Sequence, residues 1–161
     1  MEITTATMAD LDALAAIEAA CFPAAEAATR EELAARLSTY GDHFFIARAE
    51  DGTAIGFIDG MVTDEKDLLD ELYADASRHD ENGAWQMIFG LNTLPDWRCR
   101  GVAAQLIGAM CAAARAQGRR GVVLTCKERL LPYYGKFGFV DEGVSDSTHG
   151  GVVWHQMRLT F

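Results

Sequence analysis

The stretch Arg98-Cys99-Arg100-Gly101-Val102-Ala103 combines residue types that could bind a phosphate group. It follows a predicted buried strand, Trp85–Thr93, and opens a predicted helix that runs from about Gly101 to Gln117. Gly101 and Ala103 are small, so a ligand can approach the backbone closely, and the first N–H groups of a helix have no partner within it. The partial positive charge of these groups, together with the two arginines, favours a phosphate or pyrophosphate ligand.

An ordinary strand-to-helix turn with surface arginines would show the same pattern, because short glycine motifs recur by chance. Other nucleotide-binding motifs fit less well. The chain has no GxxxxGK[ST] loop of the ATPase kind, and no GxGxxG follows an early strand as a dinucleotide-binding fold requires.

The composition predicts one domain over residues 1–161 in a cytoplasmic protein. Of the 161 residues, 50% are hydrophobic and 24% are charged, and no apolar run approaches the roughly 18 residues of a membrane helix. The N-terminus lacks the basic and apolar regions of a signal peptide. The net charge of −10 argues against nonspecific nucleic-acid binding, and it suits either a cationic substrate or solubility alone.

The cysteines predict free thiols and no metal site. They are scattered without a CxxC pair, and no cysteine or histidine pair has the spacing of zinc ligands on a turn or helix. The four positions are Cys21, Cys99, Cys111 and Cys126.

Periodicity and turn signals predict a mixed α/β chain with a central sheet. The buried stripe of the first helix, at about residues 8–20, excludes Glu18 and consists of Leu11, Leu14, Ile17 and Cys21. Thr29 and Glu32 form a capping box for a second helix that ends near Leu37. We predict the remaining elements as strands at 2–6, 43–49, 54–62, 85–93, 121–126, from 139 onward and 152–159, and as helices near 68–72, 101–117 and 130–137.

Two blocks of the sequence resemble the signature motifs of the GCN5-related N-acetyltransferase (GNAT) superfamily. Arg98-x-x-Gly101-x-Ala103 matches its [RQ]-x-x-G-x-[GA] pyrophosphate loop, and the preceding Leu94-Pro95-Asp96-Trp97 resembles the usual lead-in to that loop. The run Leu131–Phe139 resembles the second signature, PFYxxFGF. Because both blocks occur in the expected order and at the expected distance, the chain is identified by this resemblance as a member of the superfamily.

The resemblance implies a single GNAT-type domain: a mixed, mostly antiparallel sheet of six to seven strands with about four flanking helices. The strands Trp85–Thr93 and Gly121–Cys126 would splay apart to admit acetyl-coenzyme A. Tyr134 matches the family's general acid, and Lys127 and Lys136 are further candidates for phosphate contacts. The residues that the resemblance places at the coenzyme are Leu91, Asn92, Thr93, Arg98, Cys99, Arg100, Gly101, Val102, Ala103, Tyr133 and Phe137.

The segments Ile17–Pro23 and Cys126–Tyr134 resemble more closely the serotonin (arylalkylamine) N-acetyltransferases. That subfamily carries two histidines on the strand before the loop, and Met87 and Phe89 occupy those places here. A different group must therefore accept the proton of the amine. We favour Glu26, which lies in a loop that borders the amine site in the family, and the other candidates are Glu18, Asp59, His149 and His155.

The sequence thus predicts an N-acetyltransferase that transfers an acetyl group to a small primary amine, of the alkyl or arylalkyl kind. Two alternatives stay open: acetylation of a protein lysine or N-terminus, and a coenzyme-binding regulatory module without turnover. The acidic segment at 64–82 could border a substrate funnel or simply cover the fold. We expect a monomer or homodimer.

Overall fold

A computed structural model describes residues 1–161 as nine strands and five α-helices, with short 3₁₀ turns between them. The helices are α1 (Leu11–Cys21), α2 (Arg30–Tyr40), α3 (Asp70–Ala74), α4 (Val102–Ala116) and α5 (Leu131–Gly135). The strands are β1 (Glu2–Thr5), β2 (Phe44–Arg48), β3 (Ala54–Asp59), β4 (Val62–Thr63), β5 (Trp85–Ile88), β6 (Gly90–Thr93), β7 (Gly121–Cys126), β8 (Val140–Val144) and β9 (His155–Thr160).

The strands form two sheets, whose orders are β1-β2-β3-β6 and β4-β5-β7-β9-β8. All strand pairs are antiparallel except β5 and β7, which run parallel. The predicted mixed α/β fold is therefore confirmed, and the expected single sheet is divided in two. None of the helices combines the length and the apolar character that a bilayer crossing requires.

The division arises at Phe89, in the middle of the strand that the sequence predicts as continuous. The Phe89 N–H bonds to the Asp59 carbonyl oxygen at 2.7 Å, while Gly90 is the register partner of Asp59. Two residues thus oppose one, which is a β-bulge, and a bulge bends its strand. As a result β5 pairs with β7, whereas β6 stays with β3 and separates from β7.

Helix boundaries follow local signals. The capping box forms as predicted, because Glu32 N–H bonds to Thr29 Oγ1 at 3.1 Å and Thr29 N–H bonds to the Glu32 carboxylate at 3.2 Å. Gly101 precedes α4 with a φ of 82°, and Gly118 follows it with a φ of 79°. Both angles lie in the left-handed region that glycine adopts at little cost.

Two hydrophobic cores cover opposite faces of the strands. Phe57 belongs to the core that packs α1 and α2, while its neighbour Ile58 belongs to the core that packs α4. Successive side chains of a strand point to opposite faces, so β3 contributes to both cores.

The acidic segment is attached to the rest of the fold around Glu81. Its carboxylate lies 3.0 Å from His43 Nε2, 3.2 Å from His79 Nε2 and 2.8 Å from an Arg119 nitrogen. His79 Nδ1 accepts the N–H of Val62 at 3.0 Å, so its neutral ring presents Nε2–H toward Glu81 rather than a lone pair for a metal. Hydrogen bonds therefore explain why these two imidazoles and the Glu81 carboxylate lie together, without a metal ion.

Candidate active site

The predicted phosphate loop forms a cradle of free backbone N–H groups that extends into the first turn of α4. The N–H groups of residues 99–104 have no acceptor within the protein. Cys99 adopts a φ of 62° and is the one non-glycine residue of the chain with a positive φ, so the loop curls tightly beside Gly101. Successive N–H groups of this kind form an anion-binding concavity.

Two arginine side chains hold this loop in place, and neither covers the backbone at Gly101. The Arg98 Nε donates to the Thr93 carbonyl oxygen at 3.2 Å, which ties the loop to the end of β6. The Arg100 guanidinium lies over the Trp97 ring at 5.1 Å. A Cβ atom built on Gly101 would have no atom within 4 Å, so a ligand can approach there. Val102 is buried in the α4 core, and only its backbone can serve a ligand.

The separation of β6 from β7 leaves a free strand edge next to this loop. The Leu94 N–H bonds to the Ile55 carbonyl oxygen. Hydrogen-bonded and non-hydrogen-bonded pairs alternate along an antiparallel ladder, so the next hydrogen-bonded pair is Asn92 with Phe57. The backbone groups of Leu91 and Thr93 consequently point away from β3, toward the opening. Asn92 does not share this orientation, and its side chain is buried.

A cavity of about 490 Å³ continues from this opening between β6 and β7. Aromatic rings line much of it, namely those of Phe22, Tyr73, Phe89, Tyr134 and Trp154. Four carboxylates also line it, from Glu18, Glu26, Glu32 and Asp70, as do the cations of Arg36, Lys127 and Arg129. The cavity therefore combines apolar and charged walls, which suits an amphipathic ligand.

The predicted general acid, Tyr134, lines this cavity and is 9% exposed. Its ring packs edge-on against Tyr133 and Phe139, with centroids 5.4 and 6.1 Å away. Burial raises the pKa of Tyr134 above its usual value, so the phenol stays protonated at neutral pH. Tyr133 and Phe137 are half-buried, pack edge-on against each other and lie outside the cavity lining.

A comparison with known families identifies the family of the chain. The model of the acetyltransferase (GNAT) family matches residues 11–139. The chain belongs to this acetyltransferase family. The predicted superfamily is confirmed, and this membership supports acetyl-coenzyme A as the cosubstrate of an acyltransferase. No curated protein sequence gave a significant match.

Solved structures share the fold of this acetyltransferase. The GphF GNAT-like decarboxylase in complex with isobutyryl-CoA is 23% identical, with a TM-score of 0.86 and 99% coverage of both chains. The ribosomal-protein-S18-alanine N-acetyltransferase from Escherichia coli is 17% identical, with a TM-score of 0.72 over 99% of this chain and 92% of that one. A GNAT family acetyltransferase from Brucella melitensis in complex with acetyl-CoA is 19% identical, with a TM-score of 0.63 over 99% and 87% of the two chains.

Glu26, the favoured base of the acetyltransferase, is engaged by its neighbours. The Lys127 ammonium lies 2.9 Å from Glu26 Oε1, so this lysine faces the cavity rather than the phosphate loop. The Glu26 carbonyl oxygen accepts a hydrogen bond from His149 Nε2 at 2.8 Å. Donation through Nε2 leaves His149 Nδ1 as an acceptor in the neutral ring. Lys136 is exposed and lies outside the cavity lining.

Glu18 lies in a different place from the one that the sequence predicts. It is 5% exposed and belongs to the buried face of α1, because it follows Leu14 by four residues and precedes Cys21 by three. The prediction that it lies off the buried stripe was therefore wrong. Its carboxylate lines the cavity, and burial raises the pKa of Glu18 to about 7.

The other two predicted bases do not reach the cavity. His155 lies on β9 with its Nδ1 atom 3.4 Å from an Asp141 oxygen. Asp59 is completely buried behind the cavity wall, and burial raises its pKa to about 6.

Sequence reasoning missed several cavity residues. Arg36 occupies the apolar stripe of α2 with Leu33, Leu37 and Tyr40, and a charge at such a position was a readable signal. Tyr73 lies in the acidic segment and carries its hydroxyl to within 3.0 Å of Thr125 Oγ1. No pattern in the sequence places Tyr73 next to β7.

Proposed function

We propose that this acetyltransferase transfers the acetyl group of acetyl-coenzyme A to the primary amine of a small alkylamine or arylalkylamine. The observation that carries the proposal is the free edge of β6, which leads from the orphan N–H groups of residues 99–104 into a cavity with aromatic and carboxylate walls. The N–H cradle suits a pyrophosphate, and the cavity suits an acceptor with a ring and an ammonium group.

The residues at the opening divide the chemical work. The N–H groups of Leu91 and Thr93 lie on the free edge and can polarise the thioester oxygen. Tyr134 can donate a proton toward the sulfur as the carbon–sulfur bond breaks, because burial keeps its phenol protonated. Glu26 borders the acceptor side of the cavity, and its carboxylate can hold the ammonium of the incoming amine.

The acidic surroundings of the cavity favour a cationic acceptor. A neighbouring groove of about 620 Å³ shares Asp70 and Ser147 with the cavity. Its walls carry five carboxylates, from Asp67, Asp70, Glu71, Glu142 and Asp146, against one cation, Lys66. A surface of this charge steers cations toward the opening.

The finer features follow as proposals from the same site. We propose that residues 1–161 act as one N-acetyltransferase domain, as a monomer or homodimer in the cytoplasm, without nucleic acid or membrane as a partner. The resemblance to arylalkylamine N-acetyltransferases supports the acceptor class, while Met87 and Phe89 require another proton acceptor than the histidines of that group.

Thiol release from acetyl-coenzyme A tests the proposal against its alternatives. The acceptors are 2-phenylethylamine, spermidine, a peptide with an internal lysine and a peptide with a free N-terminus. The highest kcat/KM is expected for 2-phenylethylamine, with the acetylated product seen by mass spectrometry. Faster turnover of a peptide would favour the protein-acetylating alternative. Tight coenzyme binding with no thiol release for any acceptor would favour a regulatory module.

Decarboxylation of an acyl-coenzyme A is a second candidate function. The specific observation is the polar group of Thr125, Tyr73 and His149 at the end of β7, in which the His149 ring stacks on Tyr73 at 5.7 Å. The fold likeness to the GNAT-like decarboxylase, at a TM-score of 0.86, supports the same reading. Release of carbon dioxide from malonyl-coenzyme A without any amine would establish this activity. An enzyme that acetylates amines but releases no carbon dioxide would exclude decarboxylation.

A further inference from the structure

A buried polar cluster lies at the inner end of the cavity, where α1, α2, β3 and β6 meet. Four of its members are Glu18, Arg36, Asp59 and Asn92, and each is at most 5% exposed. Arg36 is the single cation among two carboxylates, and its nearest contact with Asp59 is 3.4 Å. This distance is long for a hydrogen bond, so the ion pair does not satisfy all the donors of Arg36 or both oxygens of Asp59.

Several buried atoms of the cluster have no hydrogen-bond partner. They are the Nε of Arg36, the Oδ1 of Asp59 and the Oδ1 of Asn92, whose amide nitrogen faces the Glu18 carboxylate. Buried polar atoms without partners are rare and costly in folded proteins. These atoms concentrate in one polar region of the fold beside the cavity.

Glu18 connects this cluster to the cavity. Its Oε2 accepts the Ala28 N–H at 2.9 Å, which fixes the carboxylate against the loop between α1 and α2. Its Oε1 lies 3.5 Å from the position that a Cβ atom on Gly90 would take. Gly90 directly precedes Leu91, whose free backbone N–H faces the opening. The carboxylate is therefore held one residue from the strand edge where the thioester would lie.

We infer that Glu18 is the proton acceptor of the acetyl transfer, held in place by the Ala28 N–H. The inference rests on the proposed function. Glu18 takes one proton from the acceptor's ammonium, and the neutral nitrogen then forms a bond to the acetyl carbon. The carbon–sulfur bond breaks, and its electron pair leaves with the sulfur, which gains a proton through Tyr134. The second proton of the nitrogen replaces the one that Tyr134 gave, and Glu18 returns its proton to solvent.

The surroundings of Glu18 suit a base that works near neutral pH. Its pKa is raised to about 7, chiefly by desolvation and also by the Asp59 charge on β3. The Ala28 N–H, Arg36 on α2 and the Asn92 amide on β6 oppose the rise. From its own helix it faces Cys21, and Glu26, Glu32 and Lys127 share the cavity wall. By contrast, Glu26 is already paired with Lys127.

The test is the pH dependence of kcat at saturating acceptor, taken from the panel as the amine that the wild type uses best. For the wild type we expect an acidic limb with an apparent pKa near 7. The limb should stay in place when a less basic amine replaces the first one, because it belongs to the enzyme. A limb that moves with the basicity of the acceptor would overturn the inference.

Variants of Glu18 separate catalysis from structure. In Glu18→Gln, whose amide oxygen can still accept the Ala28 N–H, kcat should fall by about 10²–10⁴-fold and the limb should vanish, while binding of acetyl-coenzyme A is unchanged. Glu18→Asp keeps a carboxylate and should keep a limb at reduced kcat. Glu31→Gln, on the exposed start of α2, should match the wild type.

A limb near 7 that survives in Glu18→Gln would contradict the assignment. Its disappearance in Glu26→Gln would then identify Glu26 as the base. This comparison requires a wild type that acetylates an amine. If the wild type acetylates none, the proposed function itself fails, so the two failures are distinguishable.

Discussion

The Lys127 ammonium and the Glu26 carboxylate lie 2.9 Å apart on the wall of the cavity. The Glu26 side chain is 6% exposed, and the Lys127 nitrogen also lies 5.9 Å above the Trp154 ring. The pair links the loop after α1 to the end of β7. A cationic acceptor that binds to Glu26 must compete with this resident cation.

Removal of Lys127 is therefore expected to strengthen binding of a cationic acceptor. In Lys127→Met the carboxylate loses its partner, and KM for the amine should fall about two- to fivefold, the size of a partly exposed ion pair. Steady-state kinetics with 2-phenylethylamine measure this change. Lys136→Met is the matched control, because Lys136 is exposed outside the cavity, and it should leave KM alone. A rise in KM for Lys127→Met would argue against Glu26 as the ammonium site.

The phenol of Tyr134 is expected to matter for turnover and not for coenzyme binding. Tyr134→Phe keeps the ring that packs against Tyr133 and Phe139, and it removes only the proton donor. We expect kcat to fall about 100-fold, with an unchanged dissociation constant for coenzyme A.

Tyr40→Phe provides the comparison for this variant. Tyr40 is a phenol that is 2% exposed, has no partner for its hydroxyl and lies outside the cavity lining. Its replacement should leave kcat at the wild-type value. Equal losses in the two variants would mean that any buried hydroxyl is needed for the fold, and Tyr134 would lose its assigned role.

The buried Glu18 is expected to make stability depend on pH. Its pKa rises from about 4.5 to about 7 in the folded state, so the folded state holds the proton more tightly than the unfolded chain. The free energy of unfolding should be highest below pH 4.5, fall as the pH rises from 4.5 to 7, and level off above 7. The expected loss is on the order of 3 kcal/mol, since one pKa unit corresponds to about 1.4 kcal/mol.

Urea unfolding at pH 5, 7 and 8 measures this effect. Glu18→Gln cannot ionise, so its stability should change less with pH and should exceed that of the wild type at pH 8. Glu31→Gln, which is exposed, should follow the wild type. Parallel curves for wild type and Glu18→Gln would show that the carboxylate is not held at a raised pKa.

Two glycines should respond in opposite ways to alanine. A Cβ atom on Gly90 would lie 2.8 Å from Asp59 Oδ1 and 3.2 Å from Asn92 Nδ2, so Gly90→Ala must displace the buried polar cluster. Gly108, in the exposed middle of α4, has no atom within 4 Å of such a position. Thermal unfolding should show a lower Tm for Gly90→Ala and a higher Tm for Gly108→Ala. The second change should stabilise the folded state by about 1 kcal/mol, because alanine favours the helix over glycine by that amount. Equal effects would contradict the close approach at Gly90.

Local signals in the sequence predicted much of the fold. The capping box of Thr29 and Glu32 and the two glycines around α4 act within a few residues of the chain, so they could be read directly. The bulge at Phe89 could not, because Trp85–Thr93 is uniformly suited to a strand and the bulge depends on its pairing with Asp59.

The candidate site was predictable only where one motif contains it. The loop at Arg98–Ala103 is contiguous, and its free N–H groups follow from a helix start. The cavity instead is lined by side chains from distant segments. For example, an Arg36 guanidinium nitrogen donates to the Tyr73 carbonyl oxygen at 3.3 Å. Burial of Glu18 likewise depends on which face of α1 the sheet covers, and one polar residue among apolar neighbours does not reveal it.

The free edge of β6 has a consequence for how a ligand would change the molecule. The two sheets are joined in the chain by the bulge at Phe89 and by residues 60–61 between β3 and β4, and no ladder joins β6 to β7. An extended amide-bearing ligand in this gap would supply the missing ladder and act as a guest strand. Its arrival should slow amide hydrogen exchange at Leu91 and Thr93, and it should make the two halves of the protein unfold more nearly as one unit.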